Sequence, residues 1–136
     1  MSWLVDANVL SEPTRPEPSP SVVAWLREHE RDLVVDPVIL GELRFGILLL
    51  PEGRRRERLK AWFEAGASRI HCVPWDAATG LRWAELLVDL RRSGQSMPIK
   101  DSLIAATALT HGIGVATRNV RDFAKAGVRL VDPFTA

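Results

Sequence analysis

The sequence predicts an α/β protein with a central, mostly parallel sheet of four to five strands and helices on both faces. Two observations support this prediction. Short apolar runs of the strand type alternate along the chain with longer, helix-type segments. The runs also contain few polar positions, which is typical of strands buried on both faces of a parallel sheet. The length of 136 residues suits a single domain over residues 1–136.

The first predicted elements are a strand, a loop and a helix. Residues 3–5 form a short apolar run that ends at Asp6. Residues 12–20 are rich in proline, which removes backbone donors and disfavours helix in the preceding residue, so this segment is an irregular loop. Ser21 then caps a predicted helix that extends to Glu30.

The middle of the chain adds two strands and two helices. Residues 33–35 are the next strand, and Asp36 is an N-cap followed by a proline, which opens a helix over residues 37–50. A basic helix is predicted over residues 54–67. Residues 70–73 follow as a strand that we expect to be buried.

The second half contains three helices and two strands. An amphipathic helix is predicted over residues 76–92, a second helix over 98–111 and a short one over 119–126. Strands are predicted at residues 115–116 and 128–131. The second helix is almost wholly apolar after its first turn, so we expect it in the middle of the fold.

Composition narrows the class of protein. Hydrophobic residues make up 46% and charged residues 26%, as in globular proteins, and the net charge of +1 argues neither for nor against nucleic acid. Cys72 is the only cysteine, which excludes an internal disulfide and a cysteine-based metal site. The N-terminus lacks a signal-peptide pattern, and no apolar run reaches the roughly 18 residues of a membrane span. We therefore expect a cytoplasmic protein without membrane contact.

Acidic and amide side chains occur at predicted strand ends and near helix starts. They are Asp6, Glu42, Asp101, Asn119 and Asp122. Because the carboxyl ends of parallel strands meet at one edge of a sheet, these side chains are candidates for a common site. Oxygen ligands without cysteine or clustered histidine favour Mg²⁺ or Mn²⁺.

Each of these residues also has a simpler explanation. Glu42 could lie on the solvent face of its helix beside nearby arginines. Asp101 could stabilise the first turn of its helix through the helix dipole. Asn119 could cap its helix, with Asp122 as the capping-box partner. The residue pattern alone leaves both explanations open.

Four stretches of the chain and its ending match a known family. The sequence resembles the PIN-domain ribonucleases, and among them the VapC/FitB-type toxins of bacterial type II toxin–antitoxin pairs. The resemblance covers nearly the whole chain, with the motifs in the family's order. The matching stretches are 5–12 (VDANVLSE), 41–47 (GELRFGI), 101–108 (DSLIAATA), 116–123 (ATRNVRDF) and 131–134 (VDPF).

The resemblance implies a PIN-like fold and an endoribonuclease that hydrolyses RNA phosphodiester bonds with a water activated by Mg²⁺ or Mn²⁺. It implies that Asp6, Glu42 and Asp101 are catalytic metal ligands. The family's fourth acid commonly falls on Asn119 here, which is neutral. Asp122, one helical turn later, is the nearest acidic substitute, so we count Asn119 as a candidate ligand and Asp122 as a candidate catalytic acid.

The resemblance also implies partners. These are a cognate antitoxin protein, an RNA substrate and a second copy of the chain, with a dimer of toxin–antitoxin pairs as a further assembly. The predicted phosphate contacts are Arg54, Arg55, Arg118 and Arg121, although a solvated helix face explains the basic run at 54–58 equally well. The predicted antitoxin contacts are Trp25, Phe45, Leu48, Leu49 and Trp62.

Two other functions are compatible with parts of the pattern. A catalytically weakened module that binds RNA or antitoxin is favoured by the neutral Asn119 and by Ala7, where the family more often has threonine. A phosphotransferase of the haloacid-dehalogenase type also begins with an Asp after a strand, but it would need a second Asp where this chain has Asn8.

Overall fold

The structure is a computed structural model that describes residues 1–135, and its centre is a five-stranded sheet. The strands are β1 (Trp3–Val5), β2 (Leu33–Val35), β3 (His71–Cys72), β4 (Gly114–Ala116) and β5 (Leu130–Val131). They lie in the order β3-β2-β1-β4-β5, and every neighbouring pair is parallel. The predicted α/β class is therefore confirmed, with a sheet that is wholly parallel.

Helices connect the strands. They are α1 (Ala7–Leu10), α2 (Pro20–Glu28), α3 (Pro37–Leu48), α4 (Arg54–Ala65), α5 (Ala77–Arg92), α6 (Ile99–His111) and α7 (Val120–Ala124). Because the strand order changes direction after β3, right-handed crossovers place helices on both faces of the sheet. Within residues 1–135, no helix has the length and apolar character needed to cross a membrane.

Capping side chains set the helix boundaries. Asp36 caps α3 as predicted, with its carboxylate accepting from the Ile39 N–H at 2.8 Å. The prediction that Ser21 caps α2 is wrong, because the cap is Ser19 and proline occupies the first helical position after it. The Ser21 hydroxyl instead donates to the Pro133 carbonyl at 2.9 Å and so ties α2 to the C-terminal segment.

The prediction that Cys72 is buried is wrong, because its strand lies at the edge of the sheet. Cys72 was expected inside a buried strand, but both residues of β3 are exposed. The reason is the position of β3, which is the last strand on its side and pairs only with β2. An apolar run can thus mark an edge strand as well as a central one.

Helix α6 is the central helix, as its apolar sequence predicts. Its residues from Ile104 to Ala106 are fully buried, and the small alanine side chains allow close packing. The helix ends at Gly112, whose φ of +64° is the left-handed conformation that terminates helices and favours glycine. Because α6 ends just before the start of β4, its first turn lies toward the carboxyl ends of the central strands.

The chain order of the strands reverses between β1 and β4. On the β1 side the sheet continues with β2 and β3, and on the β4 side it continues with β5. In open parallel sheets, such a point opens a crevice at the carboxyl ends of the strands, where ligands bind. Asp6 directly follows β1 and Thr117 directly follows β4. Asp6 and Thr117 are therefore the residues that the fold places at this crevice.

Candidate active site

Asp6 is held rigidly at this crevice. Its peptide N–H donates to the Ala116 carbonyl at 2.9 Å and extends the ladder between β1 and β4. Its Oδ1 accepts from the Ala7 N–H at 2.8 Å, and its Oδ2 accepts from the Thr117 hydroxyl at 2.7 Å. The residue is 2% exposed, so its carboxylate has a fixed orientation. Asp6 also caps α1, a short helix that the sequence did not predict.

The surroundings of Asp6 disfavour its charged form. Burial, together with the charges of Glu42 and Asp101, raises the pKa of Asp6 from 3.8 to about 6, and burial is the largest of these effects. The hydrogen bonds from Thr117 and Ala7 act in the opposite direction. We call Asp6, Glu42 and Asp101 the acid cluster. A cation among these groups would relieve their mutual repulsion.

Glu42 is shared between the acid cluster and a lysine. Its Oε2 forms an ion pair with the Lys100 ammonium, which the start of α6 brings to it. Its Oε1 is buried and has no hydrogen-bond partner in the described part of the chain. Glu42 therefore pairs with a lysine of α6, and its charge acts on Asp6 and Asp101. No motif in the sequence predicts that Lys100 is part of this site.

Asp101 lies in the first turn of α6 and is 3% exposed. Burial raises the pKa of Asp101, the Lys100 charge opposes this effect, and the charges of Asp122 and Glu42 raise the pKa further. Asp122 is half-buried on α7 and pairs with Lys125 at 3.5 Å. Asp122 thus lies close enough to act on Asp101 electrostatically, but it is engaged with a lysine of its own.

Thr117 is a site residue that the sequence analysis missed. Its hydroxyl donates to Asp6 and accepts from the Asn119 N–H at 2.9 Å, so both of its hydrogen-bond directions are fixed. The predicted capping box between Asn119 and Asp122 is wrong, because Thr117 satisfies the Asn119 N–H in place of Asp122. Asn119 is exposed, and its side chain caps none of the residues described. The available signal was a hydroxyl residue directly after a central strand.

The four arginines that are predicted to contact phosphate lie in different parts of the fold. The Arg118 guanidinium is stacked 4.3 Å from the ring centre of Phe134, and Arg121 is exposed on α7. Arg55 lines the same cleft as Glu42, whereas Arg54 is exposed at the start of α4. All four arginines are thus on the surface, and Arg118 is the one whose side chain is held in place by a stacking contact.

Asp36 resembles Asp6 locally but belongs to no acid cluster. It follows β2, caps a helix, is fully buried and accepts a threonine hydroxyl, that of Thr107, at 2.7 Å. Burial raises the pKa of Asp36, and hydrogen bonds lower it, but no carboxylate contributes. Because no other carboxylate acts on it, Asp36 is a structural acid and not part of a shared site.

The residues of the acid cluster fit a divalent cation by their chemistry. In the arrangement of residues 1–135, no three carboxylate, imidazole or thiol groups converge closely enough to enclose an ion. The donors are nevertheless all carboxylate oxygens, which Mg²⁺ and Mn²⁺ prefer. The buried Glu42 Oε1 without a partner is an acceptor that a cation would satisfy. Asp6, Glu42 and Asp101 would hold the ion.

An apolar cleft of about 440 Å³ adjoins the acid cluster at Glu42. Three large side chains of α3 and its C-terminal end, Phe45, Leu48 and Leu49, are 48–68% exposed, as a protein-binding surface would require. Trp25 was predicted to contact a partner, but it is buried and unavailable. We call this cleft the α3–α4 groove; its lining includes Asn8, Glu42, Phe45, Leu49, Arg55 and Trp62.

A family model and two curated proteins match nearly the whole sequence. A family model of the PIN domain matches residues 3–128. The chain is 35% identical to the plasmid stability protein StbB of Pseudomonas syringae pv. tomato, over 98% of this chain and 99% of that protein. It is 34% identical to the VapC ribonuclease Y4jK of Sinorhizobium fredii, over 96% of each chain.

Solved structures show the same relationship in three dimensions. The crystal structure of FitAcB from Neisseria gonorrhoeae superposes with a TM-score of 0.88, at 34% identity over 98% of this chain and 99% of that chain. The structure of FitAB bound to an IR36 DNA fragment also gives a TM-score of 0.88, at 33% identity over 96% of this chain. With four ordered motifs, a parallel sheet of matching fold and this level of identity, the chain belongs to the PIN-domain family, among the VapC/FitB-type toxins of toxin–antitoxin systems.

Proposed function

We propose that this protein is a Mg²⁺- or Mn²⁺-dependent endoribonuclease that acts as the toxin of a toxin–antitoxin pair. The observation that carries the proposal is the acid cluster: two nearly fully buried aspartates and a glutamate with an unpaired buried oxygen, at the topological switch point of a parallel sheet. Burying interacting carboxylates costs stability, and a fold retains such groups where they bind or react. The names of the curated relatives, among them VapC ribonucleases, support the same activity.

In this proposal, a bound divalent ion supplies Lewis-acid polarisation of the phosphoryl group and a reactive water for hydrolysis. Asp6 is the rigid ligand, because Thr117 and Ala7 fix both of its oxygens. Asp101 approaches from the first turn of α6 and Glu42 from α3. Since Asp6 has a pKa of about 6, it can exchange a proton near neutral pH when the ion is absent.

RNA would approach across the surface arginines rather than the acids. A carboxylate site repels phosphate, so cationic side chains at its rim must offset this repulsion. Arg118, Arg121, Arg54 and Arg55 are exposed, and Arg55 shares the cleft with Glu42. We propose that these side chains contact phosphates and position the RNA strand, while Asn119 and Asp122 lie at the edge of the metal site as secondary ligand and acid.

The test is cleavage of total RNA by the wild type, Asp6→Asn and Asp101→Asn in the presence of Mg²⁺ or Mn²⁺. We expect metal-dependent cleavage that both substitutions reduce at least about a hundredfold, since each removes a charged ligand. Asp36→Asn is the matched control: it changes a buried strand-end acid with the same kinds of hydrogen bonds, and it should retain cleavage. Binding of RNA without any cleavage by the wild type would instead favour the weakened binding module.

We also propose that the α3–α4 groove binds the cognate antitoxin. Leu49 is 68% exposed, so its truncation should barely change stability but should remove apolar contact area. We expect Leu49→Ala to weaken antitoxin binding about tenfold, with a melting temperature within a few degrees of the wild type. Leu81→Ala, an equally exposed leucine on α5, is the control and should bind normally. Equal binding by both variants would contradict the assignment of the groove.

Homodimer formation, and assembly into a dimer of toxin–antitoxin pairs, are part of the same proposal. Related solved structures are toxin–antitoxin complexes, including FitAcB and FitAB. Analytical ultracentrifugation of the toxin alone and of the co-expressed pair would test both states. A monomeric toxin at all concentrations up to about 100 μM would contradict the homodimer at the affinities that stable interfaces provide.

A further inference from the structure

Lys100 is a cation that lies beside the acid cluster. Its ammonium pairs with Glu42 Oε2, and it lies next in sequence to Asp101. The negative charges of Glu42, Asp101 and Asp6 all stabilise its protonated form. Lys100 therefore interacts with every member of the acid cluster, although it lies just before the matching stretch 101–108.

We propose that Lys100 is an internal counter-cation, which holds Glu42 in the metal-free protein and is displaced from it when a divalent ion binds. The inference rests on the proposed metal site. The ammonium occupies one oxygen of Glu42 while the other oxygen is buried without a partner. A metal ion and the Lys100 ammonium thus compete for the same carboxylate, and each weakens the binding of the other.

The side chain of Lys100 has the freedom that displacement requires. It is 49% exposed and has a flexible four-carbon stem, so the ammonium can leave Glu42 for solvent without a change in the backbone. Asp6 lacks this freedom, because its oxygens are fixed by Thr117 and Ala7. The site therefore consists of a rigid ligand and a second ligand, Glu42, that is exchanged between a lysine and a metal.

This arrangement has two measurable consequences. Without metal, Lys100 neutralises part of the acid cluster and so stabilises the folded chain. With metal, the same charge repels the ion and reduces its affinity. Removing the charge should therefore lower the stability of the metal-free protein and increase its affinity for the ion, which is the opposite of what loss of a ligand would do.

The experiment measures Mn²⁺ binding from the electron paramagnetic resonance signal of the free ion, using the full chain and no RNA. Lys100→Met removes the charge and keeps the length of the side chain, and Lys100→Gln is a second variant that keeps polarity. We expect both to bind Mn²⁺ about tenfold more tightly than the wild type and to melt at a lower temperature when metal-free. Lys60→Met, which removes a surface lysine paired with Glu57 at 3.8 Å, is the control and should bind like the wild type.

The outcomes separate this inference from the proposed function. If the wild type binds Mn²⁺ as tightly as both Lys100 variants, or more tightly, the role of Lys100 is overturned while the metal site stands. Binding by the variants alone would support it strongly. Absence of Mn²⁺ binding by all proteins would overturn both the inference and the proposed metal dependence.

Discussion

The stability of the metal-free protein should depend on pH through Asp6. In the fold the pKa of Asp6 is about 6, against 3.8 for an unperturbed carboxyl group. Between these two values the folded chain binds more protons than the unfolded chain, so the stability contributed by Asp6 rises as the pH falls. Above the folded pKa this contribution is lost, because the buried carboxylate must then be charged.

The magnitude follows from the two pKa values. At pH 7.5 Asp6 is ionised in both states, whereas at pH 5 it is mostly protonated in the fold and mostly ionised in the unfolded chain. Linkage then gives a gain of about 1.4 kcal/mol in the free energy of unfolding between pH 7.5 and pH 5. Asp6→Asn cannot titrate and should not show this gain. The more distant acids are shared by both proteins, so the difference between the two profiles reports Asp6 together with its coupling to Glu42 and Asp101.

The assay is urea unfolding of the wild type and Asp6→Asn at several pH values, in the presence of a chelator. Asp89→Asn, a change at an exposed acid of α5, is the control and should follow the wild-type profile. Saturating Mn²⁺ should flatten the wild-type profile, since a bound cation keeps Asp6 ionised. Parallel profiles for the wild type and Asp6→Asn in chelator would refute the reasoning.

Three further predictions concern residues around the site. Thr117→Val removes the hydroxyl that orients Asp6, so Mn²⁺ affinity should fall roughly 10–100-fold in a titration; unchanged affinity would contradict the positioning role. Gly114→Ala places a Cβ 2.8 Å from Cε3 of Trp3 and should cost about 1–3 kcal/mol in urea unfolding, whereas Gly41→Ala meets no atom within 4 Å and should be tolerated. Arg121→Gln should reduce the salt dependence of RNA binding by about 0.7 in the log–log slope, measured without divalent ions; an identical slope would remove Arg121 from the interface.

The sequence predicts the fold class and most helices because periodicity and capping are local properties. The predicted helix ends lie within two residues of those observed, and the N-cap Asp36 is correct. Helix α1 could not be predicted, because a single helical turn is too short to show periodicity. Its formation depends on the cap from Asp6. The exposure of Cys72 could not be predicted either, because edge position follows from the spatial order of strands.

The acid cluster was predictable as a set of residues, but its arrangement was not. Family motifs identify Asp6, Glu42 and Asp101 as belonging together, and the electrostatic coupling among them agrees. The pairing of Glu42 with Lys100 depends on how α3 packs against α6, which no local pattern encodes. Thr117 likewise acquires its role only because β4 lies beside β1.

Asp6 and Asp36 are two similar acids that the strand order places in different surroundings. Both residues follow a central strand, cap a helix and accept one backbone N–H and one threonine hydroxyl. Asp36 follows β2, to one side of the point where the strand order reverses, whereas Asp6 lies at that point, between β1 and β4, where the charges of Glu42 and Asp101 act on it. The same kinds of hydrogen bond therefore hold a structural acid at position 36 and, in the proposed function, a metal ligand at position 6. It follows that removing the charge should cost Asp36 part of its stabilising contacts, while at Asp6 it should relieve repulsion at neutral pH and remove activity.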